Sequence, residues 1–409
     1  MRYGCAHHIV PARRAFPCPI HRRGDLSERH CAVPLERAAP FSMTLLSLES
    51  VIWLVLFAYG LQALFFLAGL RKLRDARTET LRSVSVIVAA RNEERTIGPC
   101  IDSICRQTMS PSQYEVLVVD DESTDGTAEI VRQRAVQYAN LRLLSVQKDP
   151  NLRGKSRPLA AGIDAAQGEI ILITDADCTV PTTWVEHTAR RYADGVGLVG
   201  GMTLQRSDDG FGGMQSIDWA YLLGIAASGV AWGVSFGSIG NNLSFRKQAY
   251  LDVGGYRALP FSVTEDYTLV AAILRTRSWK HVYPIDPTVL VESAPCHSIP
   301  SLVKQKHRWG RGGLDVHPIG FLIMAVSWLL HVLPFVYLVG WGAWGHTLTV
   351  LFLKSVFDYT FVNAVLSRLN RRHELLYFPA FEVYYSAYVV VLPLLVFLGR
   401  RVNWKGRTY

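Results

Sequence analysis

Two aspartates two residues apart, Asp175 and Asp177, close the run Glu169-Ile-Ile-Leu-Ile-Thr174, which reads as a buried strand. Carboxylates so spaced, at the exit of a parallel-type strand, can face one divalent cation and the phosphates of a ligand. A lone Asp-x-Asp is more often a solvated turn, so the meaning of this pair depends on its surroundings. Upstream, Ala89-Ala-Arg-Asn-Glu-Glu94 offers polar groups that can hydrogen-bond a base and a ribose. Asp120-Asp121-Glu-Ser-Thr-Asp-Gly-Thr127 offers adjacent carboxylates that can accept from a base N–H and ribose hydroxyls. Ser, Thr and Asp are also favoured helix caps. Both readings hold here: Asp125 serves the helix, and Asp120 or Asp121 faces the ligand.

Three further clusters follow. Gly154-Lys155-Ser156-Arg157 puts cations at a helix start, against the macrodipole, which points to an anionic partner such as a diphosphate. It lacks the glycine spacing of a P-loop. Thr264-Glu265-Asp266 follows Asn241-Asn242-Leu-Ser-Phe-Arg246 and Gly254-Gly255-Tyr256, and one carboxylate there could take a proton from a hydroxyl. Gln305, Arg308 and Trp309 fall on one helical face. Arg can grip a diphosphate bidentately and Trp can stack on a ring, although the same residues also suit an interfacial anchor. Gly310-Arg-Gly-Gly313 predicts that this helix ends at Trp309.

The elements that must position these groups alternate. Strands are predicted at 84–90, 114–119, 141–146 and 169–174, and helices at 96–107, 124–138 and 156–167. That rhythm implies a mostly parallel sheet with helices on both faces and ligands at the carboxyl ends of the strands. Residues 211–236 are apolar but broken by Gly and Ser, and read as helix and loop packed on the sheet or at a membrane face.

The 409 residues are 49% hydrophobic and 19% charged, with mean hydropathy +0.15. This suits a soluble domain joined to membrane helices. The net charge of +9 is assigned to a membrane surface; no nucleic-acid motif is present. One span is predicted within 43–70, followed by the basic run Arg71-Lys-Leu-Arg-Asp-Ala-Arg77, which places that end in the cytoplasm. Three more are predicted at 319–339, 348–366 and 377–398. If the last crosses, it puts Arg400, Arg401, Lys405 and Arg407 outside, against the charge rule; Pro379, Glu382 and Pro393 would instead let it re-enter. Lys354 and Asp358, four apart in the middle span, neutralise each other. The seven cysteines do not pair by spacing and indicate free thiols in a reducing compartment. Residues 1–42 read as a disordered or extraneous, untranslated tail, and Cys5, Cys18 and Cys31 match no familiar zinc spacing.

Taken in order, Asn92-Glu93, Asp120-Asp121, Asp175-Ala-Asp177, Thr264-Glu-Asp266 and Gln305-x-x-Arg308-Trp309 resemble the motifs of membrane-bound family 2 glycosyltransferases. The resemblance covers roughly residues 84–309 with the flanking spans. It implies an α/β GT-A fold, Rossmann-like with a mostly parallel sheet, joined to one N-terminal and about three C-terminal transmembrane helices. It also implies a nucleotide-diphosphate sugar donor, with a UDP-sugar as the first expectation, Mg²⁺ or Mn²⁺, and inversion at the anomeric carbon. Carried over, Ala89, Glu93, Asp120, Asp121, Lys155 and Asp175 bind the nucleotide sugar. Asp177 with Asp175 holds the metal, Asp266 is the base, and Glu265, Gln305, Arg308 and Trp309 serve the diphosphate and acceptor. The expected domains are 43–70 (span), 71–317 (cytoplasmic glycosyltransferase), 318–400 (membrane region) and 401–409 (basic tail). The C-terminal sequence 402–409 resembles short bacterial members acting on carotenoid, hopanoid or diacylglycerol-type lipids. A lipid or lipid-linked hydroxyl acceptor at the bacterial inner (cell) membrane is therefore expected. A synthase of extracellular polysaccharide and a non-catalytic membrane scaffold are the alternatives.

Overall fold

The computed structural model describes residues 41–75, 77–146, 149–237, 239–312, 318–399, 403–404 and 407–408. Residues 1–40 of the expected tail, with its cysteines, and most of 401–409 lie outside the described residues; positions 41 and 42, read as tail, instead begin the first helix. The chain from Leu46 onward forms one compact unit. It enters along α1 (Phe41–Lys72) and then alternates: β1 (Val84–Ala90), α2 (Ile97–Cys105), β2 (Tyr114–Asp120), α3 (Thr127–Gln137), β3 (Leu141–Ser145), α4 (Ser156–Ala165) and β4 (Ile170–Asp175). These are the elements expected from periodicity. The two strands that end in carboxylates run one residue further than expected, taking in Asp120 and Asp175 themselves.

The second half is less regular. It contains β5 (Cys178–Thr179), α5 (Trp184–Ala189), β6 (Val196–Gly200), β7 (Thr203–Gln205), α6 (Gly210–Ala231) and β8 (Leu243–Arg246). There follow α7 (Lys247–Leu251), α8 (Gly255–Ala258), α9 (Glu265–Arg275), β9 (Lys280–Val282), β10 (Val291–Ser293) and α10 (Ile299–Gly312). The main sheet has the order β3-β2-β1-β4-β8-β6-β9 and is parallel except at β8, which runs antiparallel to both β4 and β6. A small sheet, β5-β10-β7, lies apart from it.

Alternation along the strands fills both faces. Val84, Val86 and Val88 join Ile97, Ile101 and Ile104 of α2 in one core, while Ile87, Leu117 and Val119 join Leu159 and Ile163 of α4 in the other. Gly162 lets α4 approach closely, because a Cβ there would stand 2.7 Å from Ile87 Cγ2. Register then aligns the strand exits: Ala90 pairs with Asp120, and Ala89 with Asp175. The carboxylates seen in the sequence thus share one edge of the sheet.

Three C-terminal helices complete the molecule: α11 (Pro318–Trp341), α12 (Trp344–Arg368) and α13 (Phe378–Leu398). A two-residue hairpin of β11 (Asn403–Trp404) and β12 (Arg407–Thr408) follows. Among the described residues, four helices are long and apolar enough to cross a membrane, namely α1, α11, α12 and α13 with its 3₁₀ lead. The helix at 210–231 is not one of them. It is largely buried and packs on α12, α13 and β7, in line with its expected role beneath the membrane region.

Of the two readings left open for the last span, the re-entrant one needs a break that α13 does not show: it is one continuous helix, with Pro393 inside it. Pro379 stands in its first turn, where no intrahelical N–H bond is lost. The Glu382 carboxylate accepts from Lys354 Nζ at 2.9 Å and Ser355 Oγ at 2.8 Å, so a buried acid does not break the helix. Lys354 also meets Asp358 at 2.9 Å, and the expected pair is therefore a triad.

Helix α10 likewise continues past its expected end at Trp309. Its glycines mark close approach rather than termination. A Cβ on Gly310 would lie 2.6 Å from Val396 Cγ2 of α13, and one on Gly312 would lie 2.2 Å from Thr264 Cγ2. The segment after α1 is fastened to the α/β domain by Arg191, fully buried, which binds Asp75 at 2.7 Å and Asp286 at 2.5 Å.

Candidate active site

At the carboxyl edge of the sheet lies a cleft of about 220 Å³. Ala89, Glu93, Asp121, Lys155, Asp175, Asp177, Glu265, Asp266, Gln305, Arg308 and Trp309 all line it. Asp120 does not line the cleft. It continues the row of Val116 and Val118, which faces α2 and α3, and its Oδ1 accepts from the Ser123 backbone N–H at 3.3 Å. Asp121 is the member of the pair that turns to the cleft. It is 1% exposed and accepts from Arg157 Nη2 at 2.5 Å.

The backbone at this edge is held in uncommon conformations. Asn92 has φ +54° and Glu122 has φ +60°, one just after β1 and the other just after β2. Asn tolerates the left-handed region, whereas Glu there stores strain of about 1–2 kcal/mol. Asn92 Oδ1 accepts from the Thr124 N–H at 2.8 Å, and Arg91 Nη1 donates to the Asp121 carbonyl at 2.6 Å, which ties the two exits together. Asp125 accepts from the Thr127 N–H and hydroxyl at 3.1 and 2.5 Å, so it serves the start of α3, as expected, but from the residue before the N-cap Gly126. Glu93 accepts from the Thr96 hydroxyl at 2.8 Å.

Asp175 continues the row of Ile171 and Ile173 toward α4, whose N-terminus presents Lys155. Lys155 Nζ donates to Asp175 at 2.5 Å and lies 3.9 Å from Glu265. Burial alone would lower the Lys155 pKa, but Asp175 and Glu265 reverse this and hold it above its ordinary value. The anionic partner inferred for the cations before α4 is thus present within the protein: Asp175 for Lys155, and Asp121 with Glu122 for Arg157.

Across the cleft, Glu265 and Asp266 begin α9. Burial pushes Glu265 up to about 7, opposed by Lys155 and assisted by Asp266. Burial also raises Asp266, while Lys155 and the backbone N–H groups of Tyr267 and Gly240 act to lower it. Tyr267 N lies 2.8 Å from Asp266 Oδ1. The chain reaches α9 through Gly254 and Gly255 at φ +71° and +62°, conformations open to glycine. Gln305 Oε1 is buried and has no hydrogen-bond partner among the described residues, an acceptor left for something in the cleft.

Two parts of the site escaped sequence reasoning. Arg157, visible beside Lys155, was given no residue of its own to bind. Lys306 and Asp218, 88 residues apart and 3% and 1% exposed, form an ion pair that fixes α10 on α6. Nothing local in the sequence joins those two positions.

Asp175 and Asp177 supply hard carboxylate oxygens that suit Mg²⁺ or Mn²⁺. Among the described residues, no group of three or more His, Cys, Asp or Glu could hold an ion alone. The pair therefore fits a cation whose shell is completed by ligand phosphates and water. Cys100, Cys105, Cys178 and Cys296 are free thiols, as expected.

Residues 85–267 match the family described as glycosyl transferase family 2. The glycosyltransferase AglE of Haloferax volcanii is 39% identical over 125 residues, 30% of this chain and 40% of that protein. A beta-monoglucosyldiacylglycerol synthase of Nostoc sp. is 30% identical over 243 residues, 57% of this chain and 49% of that protein. The chain thus spans about half the length or less of these relatives. Among solved structures, the mannosyltransferase PcManGT from Pyrobaculum calidifontis, in complex with GDP-Man and Mn²⁺, superposes with a TM-score of 0.53 at 20% identity, over 83% of this chain and 99% of that one. That likeness supports the GT-A type of fold.

Proposed function

We propose that this chain, whose residues 85–267 match glycosyl transferase family 2 and which carries four helices apolar enough to cross a membrane, moves a sugar from a nucleotide-diphosphate sugar to a lipid or lipid-linked hydroxyl. The observation that carries this reading is the convergence of carboxylates, cations and Trp309 from separate segments on one cleft beside the membrane helices. The lipid acceptor draws support from the diacylglycerol-directed Nostoc relative and from the aromatic wall of Trp219, Phe261 and Trp309.

In the proposed reaction, Glu93 and Asp121 bind the nucleoside, with Arg91 and Arg157 fixing Asp121 in place. Arg308, Gln305 and Lys155 hold the diphosphate, which competes with Asp175 for the lysine. A Mg²⁺ or Mn²⁺ ion held by Asp177 and Asp175 would offset charge on the departing diphosphate. Asp266 takes the proton of the acceptor hydroxyl as its oxygen bonds to the anomeric carbon. The bond from that carbon to the phosphate oxygen breaks in the same displacement, and its electron pair leaves with the nucleoside diphosphate. One base and no carboxylate nucleophile correspond to inversion. We place residues 71–317 in the cytoplasm, on the basic run that follows α1. The spans at 43–70 and 318–400 anchor it in the cell membrane.

Lipid extracts from cells with the intact chain and with Asp266→Asn should differ by one glycolipid, found by mass spectrometry. Loss of a polysaccharide instead would remove the lipid acceptor. Unchanged product with Asp266→Asn would remove Asp266 as the base.

A further inference from the structure

A second cavity, of about 640 Å³, lies between α11, α12 and α13. Its walls are mostly Val, Leu and Phe, and it opens to the helix surface that would face lipid: Phe335 is 45%, Val383 74% and Val391 45% exposed. Its size is in the range of small-ligand sites. Its polar content is confined to a few atoms, His331, Ser355, Glu382 and Ser386.

Two of these carry unfilled acceptors. His331 is 1% exposed, and its Nδ1 lies 2.7 Å from the Ser327 carbonyl. A carbonyl only accepts, so Nδ1 carries the hydrogen and a neutral ring leaves Nε2 as an acceptor. That Nε2 has no partner among the described residues, and neither has Glu382 Oε1. Glu382 Oε2 is already taken by Lys354 and Ser355. An unpaired acceptor in such surroundings carries a desolvation cost that a donor would remove.

Charge narrows the occupant. Lys354 faces both Asp358 and Glu382, so the cluster holds one more carboxylate than cation. Tyr59 and Tyr221 donate their hydroxyls to Asp358 and add no charge. A phosphate headgroup would be repelled, and a charged group within the span is costly in any case. A neutral lipid with a free hydroxyl suits these surroundings: apolar chains for the groove, one O–H to donate to Nε2 or to Oε1, and no anion.

We propose that this groove binds a neutral, hydroxyl-bearing lipid of the diacylglycerol type, at a site separate from the catalytic cleft. It does not depend on what the cleft glycosylates. The catalytic helix α10 packs on α13 through Gly310 against Leu392 and Val396, whereas Glu382, Val383 and Val391 line the groove.

The test uses the full chain in phosphatidylcholine nanodiscs with a diazirine-bearing diacylglycerol, followed by peptide mass spectrometry. Labelling is expected on α11 and α13 and should be displaced by dioctanoylglycerol but not by phosphatidic acid. Glu382→Gln replaces an acceptor with a donor and should weaken labelling about tenfold. Ala387→Phe fills the groove from its exposed side and should abolish labelling, with thermal unfolding confirming that the variant is folded. Equal displacement by phosphatidic acid, or labelling unchanged in both variants, would overturn the proposal. Labelling confined to cleft residues such as Phe261 would overturn the groove and leave the lipid-acceptor reading standing.

Discussion

Replacing Lys306 with methionine tests how α10, which carries the proposed diphosphate-binding residues Gln305 and Arg308, is held. The Lys306 side chain is 3% exposed and that of Asp218 is 1% exposed, and they pair directly. Asp218 Oδ1 already lacks a partner, and Tyr384 reaches Oδ2 only at 3.5 Å. Methionine keeps the stem volume but leaves the carboxylate buried against that one long bond, which costs about 3–5 kcal/mol. Asp218→Asn is milder. The ammonium still lies 4.3 Å from the Trp309 ring and 5.2 Å from the Tyr388 ring, and two such contacts offset about 1–2 kcal/mol. The Asp218→Asn loss should therefore be smaller, about 1–4 kcal/mol. The double variant removes both charges and should be more stable than Lys306→Met alone. Tryptophan-monitored denaturation in detergent measures all three. Equal losses in the two single variants, or a double variant equal to their sum, would refute the reasoning.

Asp177→Ala should abolish metal-dependent nucleotide binding, read by calorimetry with Mn²⁺, while the protein still inserts in membranes; retained metal-dependent binding would exclude Asp177 as a ligand. With Asp266 raised and as the proposed base, turnover should fall as pH drops through a value above the ordinary carboxylate range. Lys155→Met, which removes a cation that lowers both Asp266 and Glu265, should move that acid limb upward in a pH–rate profile. Glu265 also links folding to pH: its raised value of about 7 contributes stability that is full below its ordinary 4.5 and lost as pH rises toward 7. Glu265→Gln should flatten that part of a stability–pH curve. Gly240→Ala would set a Cβ 3.2 Å from Asp266 Oδ2 and 3.4 Å from Lys155 Nζ; turnover should drop about tenfold with stability nearly unchanged, checked by paired rate and unfolding measurements.

The first half of the domain was legible because its strands and helices are long enough for periodicity to show. Val84–Ala90 has the bounds read from the sequence, and Ile97, Ile101 and Ile104 are the buried face of α2 as expected. The small sheet was not legible, since its strands of two or three residues have no period to read. The reversal at β8 depends on pairing across distant segments. The choice between Asp120 and Asp121 needed the end of the strand: Asp120 continues the row that faces the helices, whereas Asp121, the first residue past β2, turns to the cleft. Glu382 joined Lys354 and Asp358 only because two helices, 28 residues apart at those positions, pack together. Glycines 310 and 312 were misread because the same residue serves helix ends and tight contacts, and only the neighbours distinguish the two.

Those two glycines touch different worlds within half a turn of helix. Gly310 rests on Leu392 and Val396 of a helix apolar enough to cross a membrane, and Gly312 rests on Thr264, two residues before the proposed base. A thicker or thinner bilayer changes the tilt of an embedded helix at a modest energetic cost. Because the contact at Gly310 has no side chain to absorb such a shift, α10 carries it toward Asp266. In vesicles of fixed headgroup and graded acyl length, turnover should then trace a maximum at one thickness, so that membrane mechanics set the rate beside chemistry.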